Sequence, residues 1–258
     1  MIRREVNPRT RMTINAARSA GAQAVRGRRG AAPKRGRAAG TRKKKPGRPN
    51  GTSTVRESIL ANAEQMFADR GYAGTTLREI ADGSRVTQAL INYYFGSKFA
   101  LFEEVYLRRA VEVARERLVN LETLEQIETL TGEPPAVEDI VRAFLEPTIA
   151  LRATPEGRNF LRLQSRLHTE PPHLSYKLRT DAYDRSTRGY VRLLHKVLPR
   201  LSALDAYWRM TMMIGTYLYA FSDTHRMEEL AGSDYDATDS AAVLEQVTRF
   251  LAGGLQAA

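Results

Sequence analysis

From residue 54 to the C-terminus, apolar side chains recur every three or four positions, which is the period of an amphipathic helix. Val, Ile and Thr do not alternate with polar residues in a convincing strand pattern, and no internal repeat is evident. The first apolar stripe consists of Val55, Ile59, Ala63, Met66 and Phe67. The hydrophobic pattern therefore predicts an all-α fold.

Capping signals set the ends of the first predicted helix. Thr54 and Glu57 have the spacing of a capping box, in which each side chain satisfies a free backbone N–H of the first turn. Gly71 can end a helix in the left-handed conformation. Together these signals predict a helix over residues 54–70.

Two shorter helices follow closely. Thr76 and Glu79 form a second capping box, which starts a helix that ends near residue 84. Thr87 is the predicted N-cap of the third helix, whose Ile91 and Phe95 lie four residues apart on the buried side. The opposite, exposed face holds Gln88, Ala89, Asn92 and Tyr93. Three helices with a tight turn before the third predict a helix-turn-helix module.

The remaining residues are predicted to be helical almost throughout. The predicted helices cover residues 98–118, 137–153, 156–169, 172–198, 203–230 and 240–256. Residues 120–135 are predicted to be a connection because they contain Gly132, Pro134 and Pro135. Pro147 lacks an N–H and is expected to kink or split its helix. The predicted organisation is a tail at residues 1–53, a helix-turn-helix domain at 54–100 and a helical domain at 101–258.

The net charge of +11 is concentrated in the tail. Residues 1–50 hold 16 of the 40 Lys and Arg residues but one of the 29 acidic residues, so the body is slightly acidic. A segment so poor in large apolar side chains is predicted to be disordered. Three interpretations of this segment stay open. It is a solvated tail, which includes the case of an over-extended start; it is an arm that contacts DNA; or it is a targeting peptide. Within it, the Gly-Arg-Pro core resembles a minor-groove AT-hook, which would insert Arg48.

Composition and motifs argue against an enzyme. The chain has no Cys, which excludes thiolate metal sites and cysteine nucleophiles and suits a reducing cytoplasm. Phosphate-binding Gly-rich loops, zinc-protease helices and serine-hydrolase turns are absent from the sequence, and its four His residues are dispersed. The longest apolar stretch has 13 residues, too short to span a membrane. We therefore expect no catalytic residues, no metal, no cofactor and no membrane contact.

Residues 59–106 resemble the DNA-binding domain of the TetR family over nearly its whole length. The matching segments are DRGYAGTT at the end of the first helix, LREIA in the second helix and INYYFGSK, which leads from the recognition helix into the next helix. The sequence departs from the family at Arg85, where the family usually has Gly, and at Asn92, where it commonly has Tyr. A left-handed conformation at Arg85 would be mildly costly.

The resemblance implies a function and a set of contacts. It implies a ligand-responsive repressor that pairs through its last two helices and binds double-stranded DNA at a palindromic site as a homodimer. The recognition helix would enter the major groove with Thr87, Gln88, Ala89, Asn92 and Tyr93. Arg78 would reach a base edge, and Thr76, Tyr94 and Lys98 are candidates for phosphate contacts. The alternative is an architectural DNA-binding protein that uses its basic tail and tolerates many sequences.

The predicted C-terminal domain, residues 101–258, contains one helix, residues 207–221, that is apolar on all sides. More than one of its faces must be buried, so one face can serve a partner subunit or a ligand. A small apolar or aromatic effector is the expected ligand, and a carboxylate on it could meet Arg166 or His168. The candidate ligand-binding residues are Gln164, Arg166, His168, Tyr183, Met213 and Tyr217.

Overall fold

The computed structural model describes residues 50–222, 225–236 and 238–257, with side chains from residue 54 onward. Within these ranges the chain forms α-helices, short 3-10 turns and loops, and it contains no strand. The α-helices are α1 Asn50–Arg70, α2 Leu77–Gly83, α3 Gln88–Phe95, α4 Lys98–Thr131, α5 Val137–Ile149, α6 Pro155–Arg166, α7 Pro172–Val197, α8 Ala203–Phe221, α9 Arg226–Ala231 and α10 Ser240–Gln256. The all-α prediction is confirmed.

The capping signals predicted the second and third helices well. Thr76 accepts a hydrogen bond from the Glu79 N–H at 3.2 Å, and the Glu79 carboxylate accepts one from the Thr76 N–H at 2.9 Å. Thr87 accepts a hydrogen bond from the Leu90 N–H at 3.3 Å and caps α3. Local side-chain chemistry therefore determines where both helices begin.

Three predicted boundaries were wrong. Helix α1 begins at Asn50, so Thr54 lies inside it rather than at its N-cap. Helix α4 continues to Thr131, because Leu121 and Leu124 extend its buried stripe beyond the predicted end, and Gly132 then closes it in the left-handed conformation. The predicted helix 203–230 is interrupted: α8 ends at Phe221 with Ser222 as its C-cap, and α9 starts separately.

Pro147 does not split its helix, as the sequence suggested it could. Helix α5 contains Pro147 and continues two residues further to Ile149, where the chain tightens into the 3-10 turn Ala150–Ala153. The Pro147 side chain is buried. The carbonyl of Ala143, four residues earlier, loses its helical donor at Pro147 and instead accepts from Asn120 Nδ2 at 2.9 Å.

Two hydrophobic cores organise the helices. One contains the inner faces of α1 to α3 together with α4, α6 and α7, and its largest members include Phe67, Phe102 and Phe160. The other lies between α4, α5, α7, α8 and α10 and includes Phe144, Tyr190 and Met213. The first core joins the helix-turn-helix to the larger helical body, so the two parts are packed as one unit.

The turn between α2 and α3 contains a strained residue. The Val86 N–H donates to Ala81 O at 2.9 Å and the Arg85 N–H to Asp82 O at 3.1 Å, which together make a Schellman motif. This motif places Arg85 in the left-handed region, with φ +56°. The mild cost that the sequence suggested at Arg85 is therefore present in the turn.

Replacing Arg85 should stabilise the protein. Arg85→Gly relieves the left-handed conformation and should raise the free energy of unfolding by roughly 1 kcal/mol. Urea denaturation followed by circular dichroism measures this change. Arg85→Ala is the matched control, because it removes the same charge but keeps a Cβ and should give no gain. An equal gain in both variants would show that charge, not backbone strain, is responsible.

Candidate DNA-binding face and ligand cavity

Helix α3 presents one face to solvent while the other is fixed in the core. Ile91 is fully buried and Phe95 nearly so, and the guanidinium of Arg56 lies 5.1 Å from the Phe95 ring. Four predicted DNA-contacting residues of α3 lie together on the exposed face: Gln88, Ala89, Asn92 and Tyr93. The Tyr93 side chain is 81% exposed. The structure therefore leaves these four side chains free to contact a partner.

The predicted DNA-contacting side chains that flank the exposed face of α3 differ in how far they are already engaged in contacts within the protein. Arg78 is exposed on α2. The Thr76 hydroxyl is already used in its capping box, where it donates to Glu79 Oε2 at 2.7 Å. Tyr94 is half-buried and its ring packs 5.5 Å from that of Tyr93. Arg78 and Tyr94 therefore need less rearrangement than Thr76 to reach a DNA backbone.

Lys98 lies at the first turn of α4, three residues after the end of α3. Its ammonium lies 4.3 Å from the centre of the Tyr72 ring, and partial burial lowers the pKa of Lys98 although Glu170 and Glu79 oppose this shift. The preceding residue, Ser97, caps α4 by accepting from the Ala100 N–H at 3.1 Å. A fixed cation at the positive end of a helix suits a phosphate contact. Arg48 and the basic tail lie outside the described residues.

A cavity of about 880 Å³ lies between α4, α6, α7 and α8, within the usual size range of small-molecule sites. Five of the predicted ligand-binding residues line it: Gln164, Arg166, His168, Tyr183 and Tyr217. Met213 does not, because it lies on the opposite side of α8, fully buried in the second core. The exposed residues of the lining, among them Arg166 and His168, mark the rim.

Arg117 and Tyr106 on α4 are among the lining residues that were not predicted from the sequence. Only 1% of the Arg117 surface is exposed, and its guanidinium lies 3.7 Å from the centre of the Phe144 ring. A signal for Arg117 was present in the sequence: it occupies the helical position that continues the apolar stripe of Ala110, Val113 and Leu121. A charged residue on an apolar helix face indicates either a paired charge or a binding site.

The inner wall of the cavity carries polar groups that are buried. Gln164 Nε2 donates to the Tyr183 hydroxyl at 2.8 Å, and this hydroxyl also hydrogen-bonds with Tyr106. Burial raises the pKa of both phenols, so they stay protonated at neutral pH and act as hydrogen-bond donors. At the rim, desolvation and the neighbouring Arg179 lower the pKa of His168. His168 is therefore mainly neutral at pH 7, a weak partner for an anion.

The rim of the cavity also contacts the helix-turn-helix directly. Arg166 donates to the backbone oxygen of Asp69 at 3.0 Å, and Arg162 pairs with the Asp69 carboxylate at 3.1 Å. Just beyond α6, the Glu170 carboxylate accepts from the Tyr72 N–H at 2.8 Å. These contacts join the end of α6 to the C-terminal end of α1, where Gly71 adopts a positive φ of 72°.

The described residues contain no group of three or more His, Asp or Glu side chains that could hold a metal ion. In the same part of the chain, no helix combines the length and the apolar character that crossing a membrane requires.

An exposed helix-turn-helix face joined to a helical body is the architecture of a class of DNA-binding transcriptional regulators, and comparisons with known proteins agree. Residues 59–105 match the family described as "Bacterial regulatory proteins, tetR family". Residues 142–254 match "Tetracyclin repressor-like, C-terminal domain". The chain belongs to the TetR family of DNA-binding transcriptional regulators.

Curated relatives match a short part of the chain. The HTH-type transcriptional repressor KstR2 of Mycolicibacterium smegmatis is 38% identical over 60 residues, which is 23% of this chain and 29% of the relative. The negative transcriptional regulator IcaR of the biofilm operon icaADBC in Staphylococcus aureus is 36% identical over 50 residues, 19% of this chain and 27% of the relative. The chain thus spans less than a third of the length of these relatives.

Solved structures share the fold over most of the chain. A TetR-like transcriptional regulator from Rhodococcus sp. RHA1 superposes with a TM-score of 0.55 and 16% identity, covering 80% of this chain and 98% of that one. The hemolysin II transcriptional regulator HlyIIR superposes with a TM-score of 0.52 and 21% identity, covering 76% and 98%. At such low identity the likeness establishes the fold alone.

The exposed face of α3 generates a prediction for base recognition. Gln88→Ala should weaken binding to the preferred DNA sequence by about 1–3 kcal/mol and relax preference at one position of each half-site. Fluorescence anisotropy with single-base variants of the site measures both effects. Gln126→Ala, an exposed Gln far along α4, is the matched control and should change neither. Unchanged base preference in a folded Gln88 variant would remove this residue from the recognition surface.

Proposed function

We propose that the protein is a ligand-responsive repressor that binds a palindromic operator as a homodimer. The observation that supports this most directly is the solvent-exposed face of α3, held rigidly by Ile91 and Phe95 at the surface of a core that reaches the ligand cavity. Side chains on such a helix can contact base edges in the major groove. The proposed place of action is the cytoplasm, where bacterial DNA lies.

An exposed apolar stripe on α8 supports the homodimer. Leu204, Trp208, Met212 and Tyr219 lie on one side of α8 and are each more than half exposed. Gly215 lies on the same side, and a Cβ built there would meet nothing within 4 Å, so a partner helix could approach closely. This is the α8 stripe. Apolar patches of this kind on a folded domain commonly mark protein interfaces.

Helix α10 continues the same surface. Phe250 is 71% exposed, and Gly253 and Gly254 lie one turn further along with open space beside them. Arg209 of α8 donates to the backbone oxygens of Gly254 and Leu255, so the two helices are fixed to each other. In a two-fold dimer the same patch of each subunit meets its copy. The α8 stripe with the exposed side of α10 is the proposed interface.

The contacts between α6 and α1 support a ligand switch. Arg166 belongs both to the cavity rim and to the hydrogen bond with Asp69, so a ligand that moves the end of α6 also moves the end of α1. The effector would favour a conformation in which the spacing of the two α3 helices no longer fits the operator. Such coupling between two sites is typically worth about 1–3 kcal/mol.

Selection of bound DNA from a random pool tests this proposal. We expect a palindromic sequence whose half-sites are centred about one helical turn apart, because a two-fold dimer presents its two recognition helices at that spacing. The double variant Gln88→Ala, Tyr93→Ala is the control and should enrich no such palindrome. Enrichment of no sequence by the wild-type protein would contradict the proposal and favour the architectural alternative based on the basic tail.

The proposed interface can be tested separately. Trp208→Glu puts a charge in the centre of the α8 stripe and should convert the dimer to a monomer at micromolar concentration, as measured by analytical ultracentrifugation. Leu130→Glu is the matched control, because Leu130 is an 85% exposed apolar residue at the far end of α4. It should remain a dimer. A wild-type protein that sediments as a monomer would refute the homodimer.

A further inference from the structure

The guanidinium of Arg117 is buried without an acidic partner. In the part of the chain that the structure describes, none of the ion pairs includes Arg117. An arginine side chain does not lose its proton in a protein, so this charge persists in the interior. Burying an uncompensated charge is costly, which makes Arg117 a poor choice for structure alone.

Only one edge of the guanidinium is used by the protein. Nε donates to Phe144 O at 2.9 Å and Nη2 donates to Thr148 Oγ1 at 2.8 Å. No acceptor among the described residues contacts Nη1 or the second hydrogen of Nη2, which form the other edge. Two parallel N–H groups on one edge match the two oxygens of a carboxylate.

Aromatic rings hold the guanidinium in place beside the cavity. The rings of Phe144, Tyr217 and Tyr183 have their centres 3.7, 5.2 and 5.6 Å from the Arg117 Cζ atom. Cation–π attraction of this kind offsets part of the desolvation and restricts the side chain. A pre-oriented charge loses little entropy when it binds a ligand.

A second group beside the cavity also lacks a partner. The Gln164 side chain is 98% buried, and its Oε1 atom has no hydrogen-bond partner. The amide lines the same cavity as Arg117, so an unused polar atom and an unused cationic edge occur at one site. Unsatisfied buried polar atoms are uncommon and require an explanation. A bound carboxylate would satisfy the Arg117 edge, whereas the Gln164 Oε1 atom is an acceptor and would need a hydrogen-bond donor on the ligand.

We propose that the effector carries a carboxylate, which the free edge of Arg117 binds inside the cavity, while its apolar or aromatic remainder extends towards the rim. This inference rests on the proposed function in taking the cavity as the effector site. It replaces Arg166 and His168 as the expected partners of the carboxylate, because both lie at the exposed rim and Arg166 already binds Asp69.

Matched acids and amides test the proposal. The probes are decanoate, phenylbutyrate and naphthylacetate, each compared with its primary amide by thermal shift and calorimetric titration. The wild-type protein should bind the acids that fit at least tenfold more tightly than their amides, which is the scale of a charge-assisted hydrogen bond. In Arg117→Met this preference should fall to about one, with amide binding retained. Equal binding of acids and amides by the wild type, or no binding of any acid, would overturn the proposal.

Two further variants locate the anion. Arg179→Met removes a cation at the rim of the same cavity and should keep the preference for acids. If it loses the preference while Arg117→Met keeps it, the carboxylate binds at the rim and the proposal is wrong. Arg117→Lys keeps the charge but not the two-pronged edge, and should retain a weaker preference for acids. Arg117→Lys also replaces Arg117→Met as the test variant if Arg117→Met does not unfold cooperatively and is therefore not properly folded.

Operator release separates this inference from the proposed function. Each probe is added to the wild-type protein bound to its selected DNA. If acids bind through Arg117 but do not release DNA, the proposed carboxylate site is supported and the proposed ligand-induced release of DNA is refuted. If amides bind as well as acids and release DNA, the proposed ligand-induced release is supported and the proposed carboxylate site is refuted.

Discussion

The packing of α1 against α4 and α6 is the constraint on which the rest of the molecule depends. Phe67 of α1 meets the ring of Phe102 of α4 edge-on, with centres 4.9 Å apart, and Phe160 of α6 belongs to the same core. Glu64 of α1 is buried and pairs with both Arg108 and Arg109 of α4, at 2.7 and 2.9 Å. The helix-turn-helix and the helical body are therefore in direct contact through one tightly packed core. A shift of α6 must therefore be accommodated by α1.

The cavity has the opposite character, since it concentrates groups that weaken the folded state. A buried guanidinium and an unsatisfied amide oxygen each cost stability that an apolar core would not. Local departures from good packing are expected where a protein is built to bind. Most of the stability must then come from the two cores, above all from the aromatic cluster of Phe144, Tyr190 and Tyr217.

The sequence predicted most accurately the features that neighbouring residues determine, such as the starts of helices. Short-range capping by Thr76 and Thr87 set the starts of α2 and α3, and the resemblance to one family identified the module they form. Weaker local signals misplaced two helix ends: Thr54 lies inside α1, and the buried Leu121 carries α4 past its predicted end. Five of the six predicted ligand residues line the cavity. Arg117 was missed because its surroundings come from helices distant in sequence.

The α8 stripe and the cavity rim are not separate surfaces. Thr211, Gly215 and Tyr219 line the cavity, and all three lie on the side of α8 that carries the stripe. In the proposed dimer, a partner helix seated on the stripe would stand beside the opening, so subunit association and effector occupancy become linked equilibria. Effector affinity would then vary with protein concentration. The same repressor would respond differently when scarce and when abundant, a form of regulation set by its own expression level.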